Sequence, residues 1–276
     1  MRCERSADQK VIAVTRRHSS DPILSRVSWR LAHRVTDLRR ATLNRAARWW
    51  FRTPPLTPAQ ARMVAELRAQ GYTTMPLQRL DGAGTWRGRL EAPVHAFAAE
   101  AHADSSWRTR RPCKLRAPAG RDAVLDFGQQ SPMREVVDAF FGLRAKLLYA
   151  ELWLIHPVGD ASRRASQIWH RDPEDRPVLK AFLYCSEVTD AAGPFEYVPP
   201  SRPDLALADL PARVRGELPE RARDSVVRVT CSAWTVMIAD TSGLHRGGYA
   251  SRRERLSATW AYVTPASMYR RRLGDA

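Results

Sequence analysis

The sequence predicts a mainly β protein of the α+β class, a β-sandwich or barrel whose outer face is covered by helices from the N-terminal half. Two observations lead to this prediction. Helical patterns dominate the first half of the chain, whereas short runs rich in branched and aromatic residues, separated by Gly, Pro, Asp and Ser, follow from Lys146 onward. Helices and strands segregated in this way argue against alternating βαβ units.

Bulk composition limits the class of protein. The 276 residues, 44% of them hydrophobic, are enough for one well-buried domain of ordinary size. The 45 basic and 29 acidic residues favour anionic partners. Four scattered cysteines without a CxxC pair indicate a reduced, cytoplasmic protein without structural zinc. No signal-peptide core occurs, and no apolar run approaches about 18 residues, so we expect no membrane span.

The chain is expected to begin with a basic extension, residues 1–54, followed by a catalytic domain at 55–276. The first 53 positions hold thirteen basic and four acidic residues. A helix over residues 20–51 is predicted from Ser20 or Asp21 as N-cap and Pro22 at its first position. Apolar residues then recur at spacings of three and four: Leu24, Val27, Leu31, Val35 and Leu38.

Three roles are open for this amphipathic helix, which ends in the aromatic cluster Trp49-Trp50-Phe51. Packing of its apolar face on the catalytic domain is favoured. Peripheral contact with an anionic membrane surface, at the inner face of the membrane, is the second. Contact with a nucleic acid or a partner protein is the least favoured, because no RNA-recognition signature or helix-turn-helix pattern occurs.

Further elements follow in order. Thr57 and Gln60 form a capping-box pattern for a helix that stops at Gly71. A strand in "GYTTMPLQRL", a helix in "LEAPVHAFAAEAHAD", a loop rich in Arg and Pro, and a helix in "SPMREVVDAFFG" come next. The later strands are predicted in "LLYAELWLIHP", "VLKAFLYCSEV", "PFEYVPP", "SVVRVT", "AWTVMIAD" and "LSATWAYVT".

The tripeptide His170-Arg171-Asp172 occurs both in protein-kinase catalytic loops and in iron sites. A kinase is excluded by order and spacing. The Asp126-Phe127-Gly128 triplet precedes the tripeptide, whereas the kinase DFG follows it, and the position where a kinase needs Asn is Pro177. No Gly-rich phosphate loop and no V-A-I-K lysine occur upstream.

An iron site requires two imidazoles and one carboxylate on one face of a metal, with adjacent positions left open. His170 and Asp172 point the same way from a strand end, because residues i and i+2 share a face. His245, in a Gly-rich turn after another predicted strand, is the candidate for the third ligand. On the next strand, Arg255 and Ser257 share a parity and suit the far carboxylate of a dicarboxylate such as 2-oxoglutarate.

The motifs "QIWHRDPEDRPVLKAFLYCSEVTDAAGPFEYVPPS" and "DTSGLHRGGYASRRERLS", with the helices before them, resemble the phytanoyl-CoA dioxygenase family of Fe(II)/2-oxoglutarate oxygenases over about residues 55–265. The resemblance implies a double-stranded β-helix, the cupin-like jelly roll. It further implies His170, Asp172 and His245 as Fe(II) ligands, Arg255 as the 2-oxoglutarate anchor, and O₂ as co-substrate. Arg252 and Arg253 are alternative anchors.

Other polar side chains near these motifs have two possible roles each. Gln167 is a candidate for contacting 2-oxoglutarate or a metal-bound water, against an ordinary strand role. Lys180 is expected to be a solvated edge lysine rather than to point into the barrel mouth. Surface or core roles are expected for the remaining histidines, which are His18, His33, His95, His102 and His156.

The expected reaction is hydroxylation of an unactivated C–H bond, and Asp172 favours it over halogenation because all three protein ligand positions are filled. Basic stretches at 161–166 and in "SRRER" favour a small anionic substrate. A lipid-linked sugar acid and a natural-product intermediate are the two candidates. The alternative is a non-catalytic jelly roll that binds a membrane surface or nucleic acid through its basic helix.

Overall fold

The structure is a computed structural model that describes residues 38–104, 106–109, 114–118, 123–157, 163, 165–199, 213–214 and 217–269. Residues 38–50 are helical, and we call this segment α1. The helices that follow in the described part of the chain are α2 (Pro58–Gln70), α3 (Leu77–Asp81), α4 (Thr85–Ala103), α5 (Ala123–Gln130), α6 (Pro132–Phe141) and α7 (Glu220–Arg223).

Two antiparallel sheets form the β part of the molecule. The major sheet has the order β1 (Tyr72–Pro76), β9 (Thr235–Asp240), β5 (Leu179–Tyr184), β11 (Arg255–Val263), β3 (Lys146–Ile155) and β2 (Lys114–Pro118). The minor sheet has the order β7 (Arg213–Val214), β4 (Trp169–His170), β10 (His245–Gly247), β6 (Phe195–Tyr197) and β8 (Val227–Val229). Strands adjacent in space are distant in sequence, as in a jelly roll.

The main hydrophobic core lies between the major sheet and the helices. Leu183 of β5 and Trp260 of β11 belong to one buried cluster with residues of α2, α4 and α6. The indole Nε1 of Trp260 donates to the Val124 carbonyl at 2.7 Å, and the Tyr262 hydroxyl donates to the Gly128 carbonyl at 2.8 Å, so α5 is fixed to β11. The helices thus cover one face of this sheet and leave the other for the space between the sheets.

The second face of the major sheet packs against the minor sheet. Along β5, Leu179, Ala181 and Leu183 pack in the core beneath the helices, whereas Phe182 and Tyr184 belong to a second cluster with Phe195 and Tyr197 of the minor sheet. The two-residue period of the strand therefore separates a covered face from an inner face.

Most of the predicted elements are confirmed. Helix α2 has the predicted capping box, in which the Gln60 amide donates to Thr57 and the Thr57 amide to Gln60, and it ends at Gly71 with φ +80°. Six strands lie in the six predicted apolar runs. The predicted strand in "GYTTMPLQRL" stops at Pro76, after which the chain turns into α3.

Other elements differ from the prediction. The segment expected to be a loop rich in Arg and Pro contains β2, and α5 was not predicted. The short strands β4, β7 and β10 complete the minor sheet and lie outside the predicted apolar runs. Strands this short contain too few residues to show a periodic pattern.

Helix α1 lies against the part of the chain that forms the sheets and the helices covering them. Arg48 donates to the Phe141 carbonyl at 3.3 Å, and Arg39 donates to the Ala266 carbonyl at 3.2 Å. Arg40 forms an ion pair with the buried Asp175, with 2.9 Å between Nε and Oδ1. The predicted beginning of this helix, residues 20–37, lies outside the described residues. Within the described segments, none of the helices has the length and apolar composition needed to cross a bilayer.

Candidate metal centre

The candidate metal ligands come from two neighbouring strands of the minor sheet. His170 ends β4 and His245 begins β10, and the two residues are direct partners in the antiparallel ladder. Asp172 follows β4 by two residues, and its backbone amide donates to the Thr241 carbonyl at 2.9 Å. The pairing of β4 with β10 thus brings His245 next to His170 and Asp172, which are far from it in the sequence.

The three side chains converge. One ligand atom from each of His170, Asp172 and His245 lies within 4.8 Å of the others. Nε2 of His170 is 3.7 Å from Oδ1 of Asp172, and Nε2 of His245 is 3.5 Å from Oδ2 of the same carboxylate. Two imidazoles and one carboxylate meeting at this distance form the donor set of a non-haem iron site.

Backbone carbonyls fix the orientation of both imidazoles. Nδ1 of His170 lies 2.7 Å from the Ile168 carbonyl, and Nδ1 of His245 lies 3.0 Å from the Gly243 carbonyl. A carbonyl oxygen can only accept, so each Nδ1 carries the proton and each Nε2 presents its lone pair to the centre. The Phe195 ring stacks on His245 with centroids 5.4 Å apart.

The electrostatics keep the imidazoles available for a metal. Burial lowers the pKa of His245 to about 4, although the Asp172 carboxylate opposes this shift. Burial also lowers the pKa of His170. Both rings are therefore neutral at pH 7, which is the protonation state that ligates a metal.

A cavity between the sheets opens onto this group and contains the other predicted residues. Arg255, Ser257 and Gln167 line it together with His170 and His245. The Arg255 side chain is buried, and its Nη1 donates to the Ala192 carbonyl at 3.3 Å. Among the described residues no carboxylate lies within ion-pair distance of it, so the cavity contains a buried cation without an acidic partner.

The alternative anchors lie elsewhere. Arg252 and Arg253 are both exposed, and Arg253 pairs with Glu187 at 2.8 Å on the surface. Neither residue lines the cavity. The parity argument thus selected the arginine that the structure places inside.

The Lys180 side chain does not lie where it was expected. A solvated edge lysine was expected, but the side chain is only 12% exposed, lines the cavity, and places Nζ 2.7 Å from Oδ2 of Asp172. Its parity along β5 is that of Phe182 and Tyr184, which also line the cavity. The expectation was wrong because β5 is apolar on both faces, so its sequence pattern did not show which face is inside.

The other histidines in the described part of the chain lie outside the cavity, as expected. His95 is exposed on α4. His102 and His156 both contact the Glu254 carboxylate, at 2.7 and 2.6 Å. His18 and His33 lie outside the described residues.

Solved structures share this architecture. The nogalamycin epimerase SnoN, solved with Fe³⁺ and alpha ketoglutarate, matches with a TM-score of 0.53 and 18% identity over 79% of this chain and 88% of its own. EctD from S. alaskensis, solved with 2-oxoglutarate and 5-hydroxyectoine, gives 0.54 and 18% over 79% of each chain. AviO1 from Streptomyces viridochromogenes Tue57 gives 0.51 and 19% over 79% of this chain and all of its own.

No protein-family model and no curated protein matches the chain. At 18 to 19% identity, the structural matches establish the fold. The chain therefore has the double-stranded β-helix fold of these solved structures, as the resemblance in its sequence implied.

Proposed function

We propose that the protein is a non-haem Fe(II)- and 2-oxoglutarate-dependent dioxygenase that hydroxylates an unactivated C–H bond of a small anionic substrate. The observation that carries this proposal is the convergence of His170, Asp172 and His245 at the mouth of a cavity that also contains Arg255. A three-residue ligand set and a buried cation facing one cavity are the two features that such an enzyme requires.

The donor set fits iron. His170 and His245 would each contribute Nε2, and Asp172 would contribute a carboxylate oxygen. Lys180 Nζ lies 2.7 Å from Oδ2 of Asp172 and keeps this carboxylate ionised, which is the form that ligates a metal. When bound, iron together with 2-oxoglutarate and O₂ supplies the oxidising power for C–H hydroxylation.

The cavity fits 2-oxoglutarate. Arg255 would pair with the far carboxylate of the co-substrate, and the Ser257 hydroxyl would donate a further hydrogen bond to it. Gln167, which also lines the cavity, would donate its amide to the co-substrate or to a metal-bound water. The aromatic rings of Trp153, Phe182 and Tyr184 line the same cavity and keep the reacting centre poor in water.

The charge of the chain supports an anionic substrate, and the solved neighbours support a small molecule. SnoN was solved with nogalamycin RO and EctD with 5-hydroxyectoine. A natural-product intermediate and a lipid-linked sugar acid both satisfy these conditions.

An anaerobic titration tests the proposal. Fe(II) and 2-oxoglutarate are added to wild type and His170→Ala while the weak visible charge-transfer band is recorded, and succinate is assayed after O₂ is admitted. We expect a band and slow succinate release in wild type, and neither in His170→Ala. His95→Ala, which removes an exposed imidazole outside the cavity, is the matched control. Folded, iron-supplemented wild type without a band would contradict the proposal.

Peripheral membrane contact is the alternative role that one observation favours. Trp49 and Trp50 at the end of α1 are 77% and 81% exposed, and Leu38 on the same helix is 70% exposed. Exposed aromatics beside a basic segment are typical of helices that lie at a membrane surface. We expect the wild type, but not a Trp49→Ser/Trp50→Ser variant, to sediment with phosphatidylglycerol vesicles. Wild-type protein that stays in the supernatant would contradict this role.

A further inference from the structure

A second concave site lies on the opposite face of the minor sheet. His170 and His245 face the inner cavity, whereas their chain neighbours Trp169 and Arg246 line a groove of about 970 Å³ on the outer face. This volume is at the upper end of the range for small-molecule sites. The strands that hold the candidate metal ligands therefore also form the wall of the groove.

The groove contains an unusual concentration of guanidinium groups. Glu196 is almost completely buried in its wall and accepts from Nε of Arg246 at 2.6 Å. Arg163 and Arg228 both approach the other carboxylate oxygen, Oε1, at 3.8 and 3.9 Å. Three guanidinium groups thus surround one carboxylate, and the distances of Arg163 and Arg228 exceed those of direct hydrogen bonds.

Asp190 offers only weak compensation. It lies 3.9 Å from Nη1 of Arg228 and is 76% exposed, so solvent screens its charge. The Arg246 guanidinium also stacks on the Trp169 ring, 4.4 Å from the centroid, which holds it against the wall. Positive charge therefore remains in surplus on the groove side of the minor sheet.

Arg163 is the group that most clearly lacks a ligand. Its Nη1 is buried and makes no hydrogen bond with any of the described residues. Its guanidinium lies over the Tyr249 ring at 6.0 Å, and the Tyr249 hydroxyl is likewise buried without a hydrogen-bond partner. Burial and the nearby Arg246 cation lower the pKa of Arg163. An unsatisfied buried donor is costly to a folded protein, and a bound anion would remove that cost.

One residue is shared by the groove and the metal cavity. Gln167 lines both sites, and it belongs to the short 3₁₀ turn Ala165–Gln167, a few residues after Arg163. Ala165 lines the groove and Ser166 lines the metal cavity, so the two sites adjoin at this turn.

We propose that Arg163 and Arg228 form an oxyanion subsite that holds a carboxylate or phosphoryl group of the substrate while its reacting carbon lies beyond Gln167. The inference rests on the proposed function, because it assigns the groove to the substrate of that reaction. A guanidinium suits either oxyanion through paired N–H donors. The apolar surface of Leu218 and Val226 beside these charges accommodates the carbon skeleton of such a molecule.

Anion titration of the metal-free protein tests the subsite. Inorganic phosphate and acetate serve as separate probes at fixed ionic strength, and calorimetry gives the affinity of each. We expect Arg163→Gln and Arg228→Gln to weaken binding of the preferred probe about tenfold or more, because each removes a charged hydrogen-bond donor. Arg228 is 58% exposed, so its variant should fold even if Arg163→Gln does not.

Two control variants locate the binding. Arg253→Gln removes the same charge from a residue that is 60% exposed and paired with Glu187, and should change the affinity by less than about twofold. Arg255→Gln removes the cation of the inner cavity, where the same anions would bind if that cavity were the site, and binding in the groove should persist in this variant. Equal weakening in all four variants, loss only in Arg255→Gln, or no saturable binding to wild type would each overturn the subsite.

The anaerobic charge-transfer titration separates this inference from the proposed function. Arg163→Gln is expected to keep the iron and 2-oxoglutarate band. A band in wild type without saturable phosphate or acetate binding would overturn the subsite and leave the proposed function standing. Saturable binding without a band would support the anion subsite and overturn the proposed function.

Discussion

Nζ of Lys180 lies 2.7 Å from Oδ2 of Asp172, which joins a buried cation to a carboxylate that is also a candidate metal ligand. Burial alone would raise the pKa of Asp172 and lower that of Lys180. Their mutual attraction outweighs burial, so the pKa of Asp172 lies well below its ordinary value and that of Lys180 well above. Lys180 therefore keeps the carboxylate ionised and in place before any metal binds.

Lys180→Met should strongly destabilise the metal-free protein. Removing one member of a buried pair leaves the other charge without compensation, which costs about 3 to 5 kcal/mol. Urea unfolding in the presence of a chelator measures the effect. Lys146→Met is the control, since the Lys146 ammonium donates to the Tyr269 carbonyl and forms no ion pair with the described residues. We expect a loss below about 1 kcal/mol there. Equal stability of Lys180→Met and wild type would refute the role of the pair.

Arg255→Gln should weaken 2-oxoglutarate binding about tenfold to a hundredfold, because a charge-assisted hydrogen bond contributes about 1.5 to 3 kcal/mol. Iron binding should remain, since Arg255 is not a candidate ligand. The charge-transfer titration gives the co-substrate affinity directly. Arg252→Gln, an exposed change three positions earlier, should bind normally. A larger effect from Arg252→Gln than from Arg255→Gln would show that Arg252, and not Arg255, binds the far carboxylate of 2-oxoglutarate.

Gly248→Ala should destabilise the fold, whereas Gly247→Ala should be tolerated. A Cβ at Gly248 would lie 2.0 Å from the Pro194 carbonyl oxygen, and backbone cannot yield as a flexible side chain can. At Gly247 the nearest heavy atom would be the Ser166 carbonyl oxygen at 3.6 Å, an ordinary contact. We expect a loss of about 1 to 3 kcal/mol for Gly248→Ala and below about 1 kcal/mol for Gly247→Ala. Thermal unfolding of the pair checks this, and similar melting temperatures would contradict it.

The free energy of unfolding is expected to depend on pH through Glu254. Although burial raises its pKa, hydrogen bonds from His156 and His102 outweigh burial and lower it. A carboxyl with a lowered pKa stabilises the fold above its unfolded pKa of about 4.3, and the contribution disappears as the pH falls through the folded value. Glu254→Gln should therefore be less stable than wild type at pH 5 to 7, by less than about 1 kcal/mol because solvent screens the group.

The stability gap between Glu254→Gln and wild type should close as the pH approaches 3. Urea midpoints measured across this range provide the test. Glu100→Gln, at an exposed position of α4, should show no gap at any pH. A Glu254→Gln gap that widens on acidification would show that the sign of the shift is wrong.

Local pattern was sufficient to predict the long strands and the candidate ligands. Strands β3, β5, β9 and β11 are runs of six to ten residues rich in branched and aromatic side chains, long enough to be distinguished from helix by composition. The two-residue spacing of His170 and Asp172 was enough to predict that they point the same way, although β4 ends at His170 and the backbone hydrogen bond from Asp172 to Thr241 holds the aspartate. The parity of Arg255 and Ser257 worked in the same way.

Contacts set by tertiary structure could not be predicted. Strand β2 joins the edge of the major sheet by pairing with β3, and nothing within Lys114–Pro118 shows that partner. The groove with Arg163 and Glu196 arises from the outer face of strands only two or three residues long. From the sequence alone these charged residues cannot be distinguished from solvated surface residues. The pairing of β10 with β6 is what places Arg246 opposite Glu196.

The ion pair between Arg40 and Asp175 has a consequence for how this chain can be shortened. Asp175 is buried three residues after Asp172, and its Oδ2 also accepts from the Thr264 amide at 2.8 Å. A protein trimmed to begin at residue 55 would lose Arg40 and leave the Asp175 carboxylate without this cation, three residues from the candidate metal ligand Asp172. Truncation would therefore disturb the candidate metal centre as well as remove the helix, and point substitutions will report on the role of residues 38–50 more cleanly.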